Sequence, residues 1–363
     1  MERISLEKQA ISAVLVALGA VACGGTTPQP SSVPAERKTA EPGKPETSGP
    51  TTEQRRAVQA FAGEWILHST ITLPDGKSIK AELAMSCSET AGGRANACTL
   101  SGDVPGMSPL DAGILIGVDR LDDKVHFMAM TSDDELHDHV CAWQDGKNLV
   151  CDPLKAGIGG QPITEDLAFS FDGDQMSLKS VIHFADGTKM LLEGPGSRIA
   201  APPGRAQAAA KPAAASAEQK KLVATFLGNW KLDGEIAFPN GSRGRAALDL
   251  QCRATAGGKA SLCTLGAKDI AGRPYEAAIL VGHDPFDKNV HLMMMSSDDE
   301  VWHRACAWKG ESVLACGSMR TGVLGMPVTT EVSFDFSGAP ASTRWLTDLG
   351  DGKTCLLTAQ MSR

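Results

Sequence analysis

From about residue 50 onward, the chain runs as short apolar stretches cut by polar turns. Asp111 to Val118, Val125 to Met130 and Leu167 to Phe171 read as strands. Between such segments stand Pro74-Asp75-Gly76, Gly92-Gly93, Asp145-Gly146, Asp172-Gly173 and Asp186-Gly187. Glycine supplies the positive φ that tight hairpins demand, so these are turn signals. A short helix is predicted near Glu53 to Ala62, ahead of the first strand.

The same pattern is written twice. Gly63-Glu64-Trp65 recurs as Gly228-Asn229-Trp230, and Cys87, Cys98, Cys141 and Cys151 recur as Cys252, Cys263, Cys306 and Cys316, always 165 positions later. The offset still holds at Ser197-Arg198 against Ser362-Arg363, so residues 51–198 and 216–363 align without a gap. A repeat of this length sets the number of folded domains at two. Each copy holds about ten strands in about 150 residues with tight connections. The expected fold is therefore all-β: two tandem antiparallel up-and-down β-barrels, each preceded by a short helix. Closure removes the exposed edges that an open sheet of this size would leave.

The region before the first copy is of a different kind. Ala10 to Ala22 is an apolar stretch of export-signal length, too short for a stable bilayer span. It ends in Ala20-Val21-Ala22-Cys23-Gly24, which resembles a bacterial lipobox. The resemblance implies that residues 1–23 are a lipoprotein signal, that Cys23 is acylated, and that the protein is anchored in a bacterial envelope, with Gly24 permitting transport to the outer membrane. Residues 24–50, rich in Pro, Thr, Ser, Gly and Glu, read as a disordered tether, and residues 199–215 as an Ala/Pro linker between the copies.

The short helix followed by Gly-x-Trp at the first strand resembles the opening of lipocalin-like barrels, the calycins. The later run Gly117-Val118-Asp119, a turn, the strand Val125–Met130 and Cys141-Ala142-Trp143 is similar to lipocalin-like domains of bacterial secreted proteins. The resemblance implies that Trp65 and Trp230 each close one end of a barrel and that each barrel holds a ligand cavity.

Export makes disulfides plausible. Cys87 and Cys98 each lie five residues from Gly92-Gly93, and Cys141 and Cys151 each lie five from Gly146. Such residues face each other across a hairpin, which predicts 87–98, 141–151, 252–263 and 306–316. Cys355, standing where the first copy has Met190, reads as a buried thiol outside this set.

Composition narrows the function. With 35 Lys and Arg against 43 Asp and Glu, net charge −8, no nucleic-acid partner is expected. No G-x-S-x-G elbow, H-E-x-x-H or phosphate-binding glycine loop occurs, so neither catalysis nor a cofactor is expected. The most distinctive candidates are His126, Met128 and Met130, with His291, Met293 and Met295 in the second copy. Period-two alternation puts each trio on one face of its strand. Together with Trp65 and Trp230 they are the expected cavity residues for a small, mostly apolar ligand. Imidazole with thioethers also suits Cu(I), a weaker reading than apolar lining, and no metal is assigned. A further alternative is a pair of filled barrels acting as an envelope interaction or structural module. Asp133-Asp134-Glu135 and Asp298-Asp299-Glu300 read as solvated turns. His137, His139 and His183 occur in the first copy only, so a site common to both copies excludes them.

Overall fold

The computed structural model describes residues 49–158, 161–200, 214–270, 273–323 and 326–363. Cys23 and nearly all of the tether and linker lie outside these residues. Helix α1 (Thr52–Phe61) opens the first copy. It starts on a capping box in which Thr51 Oγ1 accepts from the Gln54 amide and Gln54 Oε1 accepts from the Thr51 amide. The strands that follow are β1 (Gly63–Thr72), β2 (Ser78–Thr90), β3 (Ala95–Gly102), β4 (Leu110–Asp119), β5 (Lys124–Thr131) and β6 (Leu136–Trp143). Then come β7 (Asn148–Cys151), β8 (Leu154–Ile158), β9 (Gln161–Asp172), β10 (Gln175–Phe184) and β11 (Lys189–Ile199).

The second copy repeats the plan. Helix α2 (Ala217–Phe226), capped by Ser216 and Gln219 in the same way, leads into β12 (Gly228–Ala237), β13 (Arg243–Thr255), β14 (Ala260–Ile270) and β15 (Arg273–His283). It continues through β16 (Val290–Ser296), β17 (Val301–Lys309), β18 (Val313–Val323), β19 (Met326–Asp335), β20 (Ala341–Asp348) and β21 (Thr354–Ser362).

Both sheets are antiparallel and closed, β1 pairing with β11 and β12 with β21. In the first barrel β7 and β8 are two pieces of one stave. The break falls at Asp152-Pro153, where proline has no N–H for the ladder. The equivalent β18 has Gly317-Ser318 there and runs through with a bulge. The four expected disulfides are present, each joining directly paired residues of a hairpin. Cys355 is buried in the second barrel, outside the disulfides.

Each helix plugs one end of its barrel. Phe61 packs edge-on against Phe169 and Phe171, and Phe226 does the same against Phe334 and Phe336. Trp65 Nε1 donates to the Phe61 carbonyl and Trp230 Nε1 to the Phe226 carbonyl, both at 2.8 Å. Arg198 and Arg363 lie over the two indoles at 4.7 and 4.5 Å, so the last strand clamps the first.

The barrels pack side by side through equivalent surfaces. β4 and β16 are buried along most or all of their length rather than at alternate positions, because one face lines a barrel and the other meets its neighbour. Leu115, Met128, Met130, Leu280, Met293 and Met295 form the apolar centre of the contact. Gly117 and Gly282 are required there: a Cβ on Gly117 would come within 2.7 Å of Met295 Sδ, and one on Gly282 would collide with Met130 Sδ. The polar contacts repeat in the same crossed manner. The Gly92 amide donates to Glu276 at 2.9 Å and the Gly257 amide to Asp111 at 2.6 Å. Asp299 accepts from Gln54 (2.7 Å), Arg94 (2.8 Å) and Arg120 (2.9 Å). Its counterpart Asp134 accepts from Gln219 (2.7 Å) and Lys259 (2.9 Å).

The expectation that 133–135 and 298–300 are solvated turns is therefore corrected. Glu135, Asp298, Asp299 and Glu300 are buried, and Asp134 and Asp299 tie each turn to the other barrel. Sequence could not show this, since the donors come from the opposite copy.

Asp299 is 1% exposed and faces two guanidinium groups. Removing one partner of a buried ion pair leaves the other charge unpaired, so Asp299→Ala should lower unfolding free energy by about 3–5 kcal/mol. Asp134→Ala, at a more exposed pair, should cost less. Urea denaturation followed by tryptophan fluorescence checks both.

Candidate functional site

The two lumens differ. The first barrel encloses a cavity of about 410 Å³, walled largely by apolar side chains including Leu67, Met85, Ile114, Phe127, Leu167 and Phe169. In the second barrel the described residues Phe226, Leu232, Leu250, Phe334 and Trp345 line a pocket of only about 10 Å³. The repeat explains why: Leu110, His137 and Ser180 of the first copy are Tyr275, Trp302 and Trp345 in the second. All three large rings are buried, and Trp302 and Trp345 pack edge to face at 6.0 Å.

One part of the first cavity wall is polar. His137 and His139 are two apart on β6 and therefore share its inner face. Glu135 stands at the turn before them, Glu165 on β9 and Ser180 on β10. His137 Nε2 lies 2.9 Å from Glu135 Oε2, and its Nδ1 lies 2.7 Å from Glu165 Oε2. His139 Nε2 lies 3.0 Å from the same Glu165 oxygen, and Ser180 Oγ donates to the other at 2.5 Å. The two imidazoles are stacked, 5.5 Å apart. Glu135 Oε1 and His139 Nδ1 are buried with no hydrogen-bond partner among the described residues.

Burial shapes the ionisation of this group. It raises the Glu135 carboxyl to about 7, aided by the nearby Asp133 charge and opposed by His137. His137 is lowered by burial, but Glu165 and Glu135 more than offset this and hold it protonated well above its ordinary range. Burial alone would raise Glu165, yet His137 and His139 hold it ionised, below the ordinary carboxylate range. An ionised carboxylate, a cationic imidazole and a protonatable second carboxyl thus sit together in an otherwise greasy chamber, able to hydrogen-bond a polar head group or exchange a proton with it.

The residues singled out in the sequence fall elsewhere, and this corrects the expected cavity. Met128, Met130, Met293 and Met295 lie in the contact between barrels, their strand faces turned outward. That packing occupies the thioethers and removes the basis for a Cu(I) site. His126 is also outside the cavity, 3.2 Å from Asp138 and 3.6 Å from Asp122. His291 lies 2.7 Å from His303 and 2.9 Å from Asp287. Trp65 and Trp230 belong to the barrel cores at the helix-plugged ends rather than to the cavity wall. His183 pairs with Asp166 at a partly exposed position.

The expectation of a site common to both copies passes over His137 and His139, which the second copy lacks. The available signal was that very divergence. Inward positions changed from His, His and Ser to Trp, Arg and Trp within a pattern otherwise kept in register.

No protein-family model matches the chain, and no curated protein matches it. Among solved structures, it is similar to a protein of unknown function of the DUF3598 family from Nostoc punctiforme, at 9% identity and a TM-score of 0.25, over 86% of this chain and 99% of that one. It is also similar to a redesigned β-barrel bound to DFHBI, at 19% identity and a TM-score of 0.22, over 39% of this chain and 99% of that one. At such TM-scores neither likeness bears on function.

The outward histidines generate a pH prediction. Burial lowers the basicity of His126, but hydrogen bonds and charge from Asp122 and Asp138 outweigh it and raise the group to about 10. Asp138 resists the upward pull of burial through His126 and His303, and is held below the usual carboxylate range. Protonated His126 therefore stabilises the fold fully below about pH 6.5, and this contribution disappears as pH climbs toward 10. The Asp138 contribution is lost on the acid side, below about pH 4. The Tm difference between wild type and His126→Gln should be largest between about pH 4 and 6.5, shrink as pH rises through neutrality, and be close to zero above about pH 10. A thermal melt series across this range measures it.

Proposed function

We propose that this is a lipid-anchored protein of the bacterial envelope, held by Cys23, whose first barrel binds a small, mostly apolar molecule carrying one hydrogen-bonding head group. The observation that carries this reading is the 410 Å³ chamber, a volume within the range of small-molecule sites. His137, Glu165 and Ser180 in its wall are joined by hydrogen bonds and ion pairs, which suits a ligand with a polar end. Glu135 Oε1, buried without a partner, is the atom such a head group would satisfy. The calycin resemblance of the helix, Gly-x-Trp and first strand is consistent with this use of a barrel, and no catalytic step is invoked. The filled-module alternative is favoured for the second barrel, where Tyr275, Trp302 and Trp345 are buried among the described residues. Export and anchoring rest on residues 1–23. Among the described residues no helix is long and apolar enough to cross a membrane.

Binding is tested with the neutral dye N-phenyl-1-naphthylamine on the purified full chain. One equivalent should bind with enhanced fluorescence. The double substitution Leu110→Tyr and Ser180→Trp, copied from the filled copy, should abolish uptake while the protein stays folded. Absence of uptake by wild type, or equal uptake by the double variant, contradicts the proposal. Anchoring is tested separately: Cys23→Ser should shift the chain from the membrane pellet to the soluble fraction.

A further inference from the structure

Three side chains in the first barrel converge their donor atoms on one small volume. His137, His139 and Glu165 each offer one ligand atom, these atoms lie within 4.8 Å of one another, and all three residues are buried. We propose that they form a zinc site, with a fourth coordination position open to the cavity. The site stands apart from the apolar-ligand reading, because it needs only the three side chains and the metal.

The spacing suits the ion. Tetrahedral zinc with bonds near 2.1 Å holds its ligands about 3.4 Å apart. The two imidazole nitrogens lie 2.7 and 3.0 Å from the shared carboxylate oxygen, so the side chains must part by up to about 0.7 Å to admit the metal between them. The histidines come from one face of β6 and the carboxylate from β9, both strands of a closed sheet, so the frame is rigid.

The surroundings support His137 and Glu165 as metal ligands, while the second ring nitrogen of His139 has no acceptor among the described residues. A metal-bound histidine usually donates its other ring N–H to a carboxylate, which fixes the tautomer. Glu135 Oε2 lies 2.9 Å from His137 Nε2 and supplies that acceptor. Ser180 Oγ donates to Glu165 Oε1, leaving Oε2 for the metal. Two imidazoles and a carboxylate with no thiolate favour zinc over Cu(I), and nitrogen ligands disfavour calcium and magnesium. Three protein ligands rather than four leave a position for water or for a ligand head group entering the chamber.

The second copy is an internal control. Its equivalents are Trp302, Arg304 and Thr330, and the Arg304 guanidinium donates to the Thr330 carbonyl at 2.6 Å. A fixed cation there replaces the proposed one. One zinc per chain is therefore expected, not two.

The test uses the full chain, stripped with EDTA and titrated with zinc chloride against a chromogenic chelator. One equivalent should bind. His139→Ala and Glu165→Gln should each weaken affinity at least 100-fold, while His183→Ala, at the partly exposed pair, leaves it unchanged. Cobalt loading of the wild-type chain should give the intense visible absorption of a four-coordinate nitrogen and oxygen site, a readout that needs no variant to fold. No stoichiometric zinc, wild-type affinity in folded His139→Ala, or a weak six-coordinate cobalt spectrum overturns the proposal. The dye assay is scored independently of all three.

Discussion

A closed ten-stranded sheet encloses a fixed volume, and every second side chain of every strand points into it. That volume is either packed to the density of a protein interior or left as a chamber. Closure through β1–β11 and β12–β21 gives both halves of this chain the same constraint, and they answer it in opposite ways. Tyr275, Trp302 and Trp345 are buried large rings in one half. Leu110, His137 and Ser180 leave the other hollow and partly polar. The functional difference between the copies lies in a handful of inward positions, while helices, disulfides and strand order are shared.

The polar wall of the first lumen would be costly if it were only structural. Two carboxyls and two imidazoles are buried together, and Glu135 Oε1 and His139 Nδ1 have no partner among the described residues. Burying such groups without full hydrogen bonding is destabilising, and the simplest alternative, aromatic filling, is present in the same polypeptide. Retention of the cluster in one copy is consistent with use of that wall for binding.

Much of the architecture was legible in the residues. The 165-residue offset set two domains, the glycine turns delimited the strands, and equal spacing of cysteines about each turn identified all four disulfides. Which face of β5 and β16 points inward was not legible. His126, Met128 and Met130 alternate as an inward face would, but an outward face buried against a second barrel shows the same pattern. The identical period arises whenever apolar burial falls on alternate residues, whichever side it is on. The sign that both faces were covered was the unbroken apolar run in Ile114 to Val118 and Leu292 to Met295, interrupted only by Gly117. The candidate site was missed for a different reason. The histidines that form it occur in one copy only, so a repeat-wide pattern of shared residues does not contain them.

The contact between the barrels is built from matching positions on each half: Met130 over Gly282 and Met295 over Gly117, Asp134 and Asp299, Asp111 and Glu276. Such a face is close to its own complement, the arrangement of a two-fold pair written into one chain. Joining two in one chain frees the halves from being alike. One can then surrender its hollow for solidity and brace the other, whose vacancy is left to chemistry.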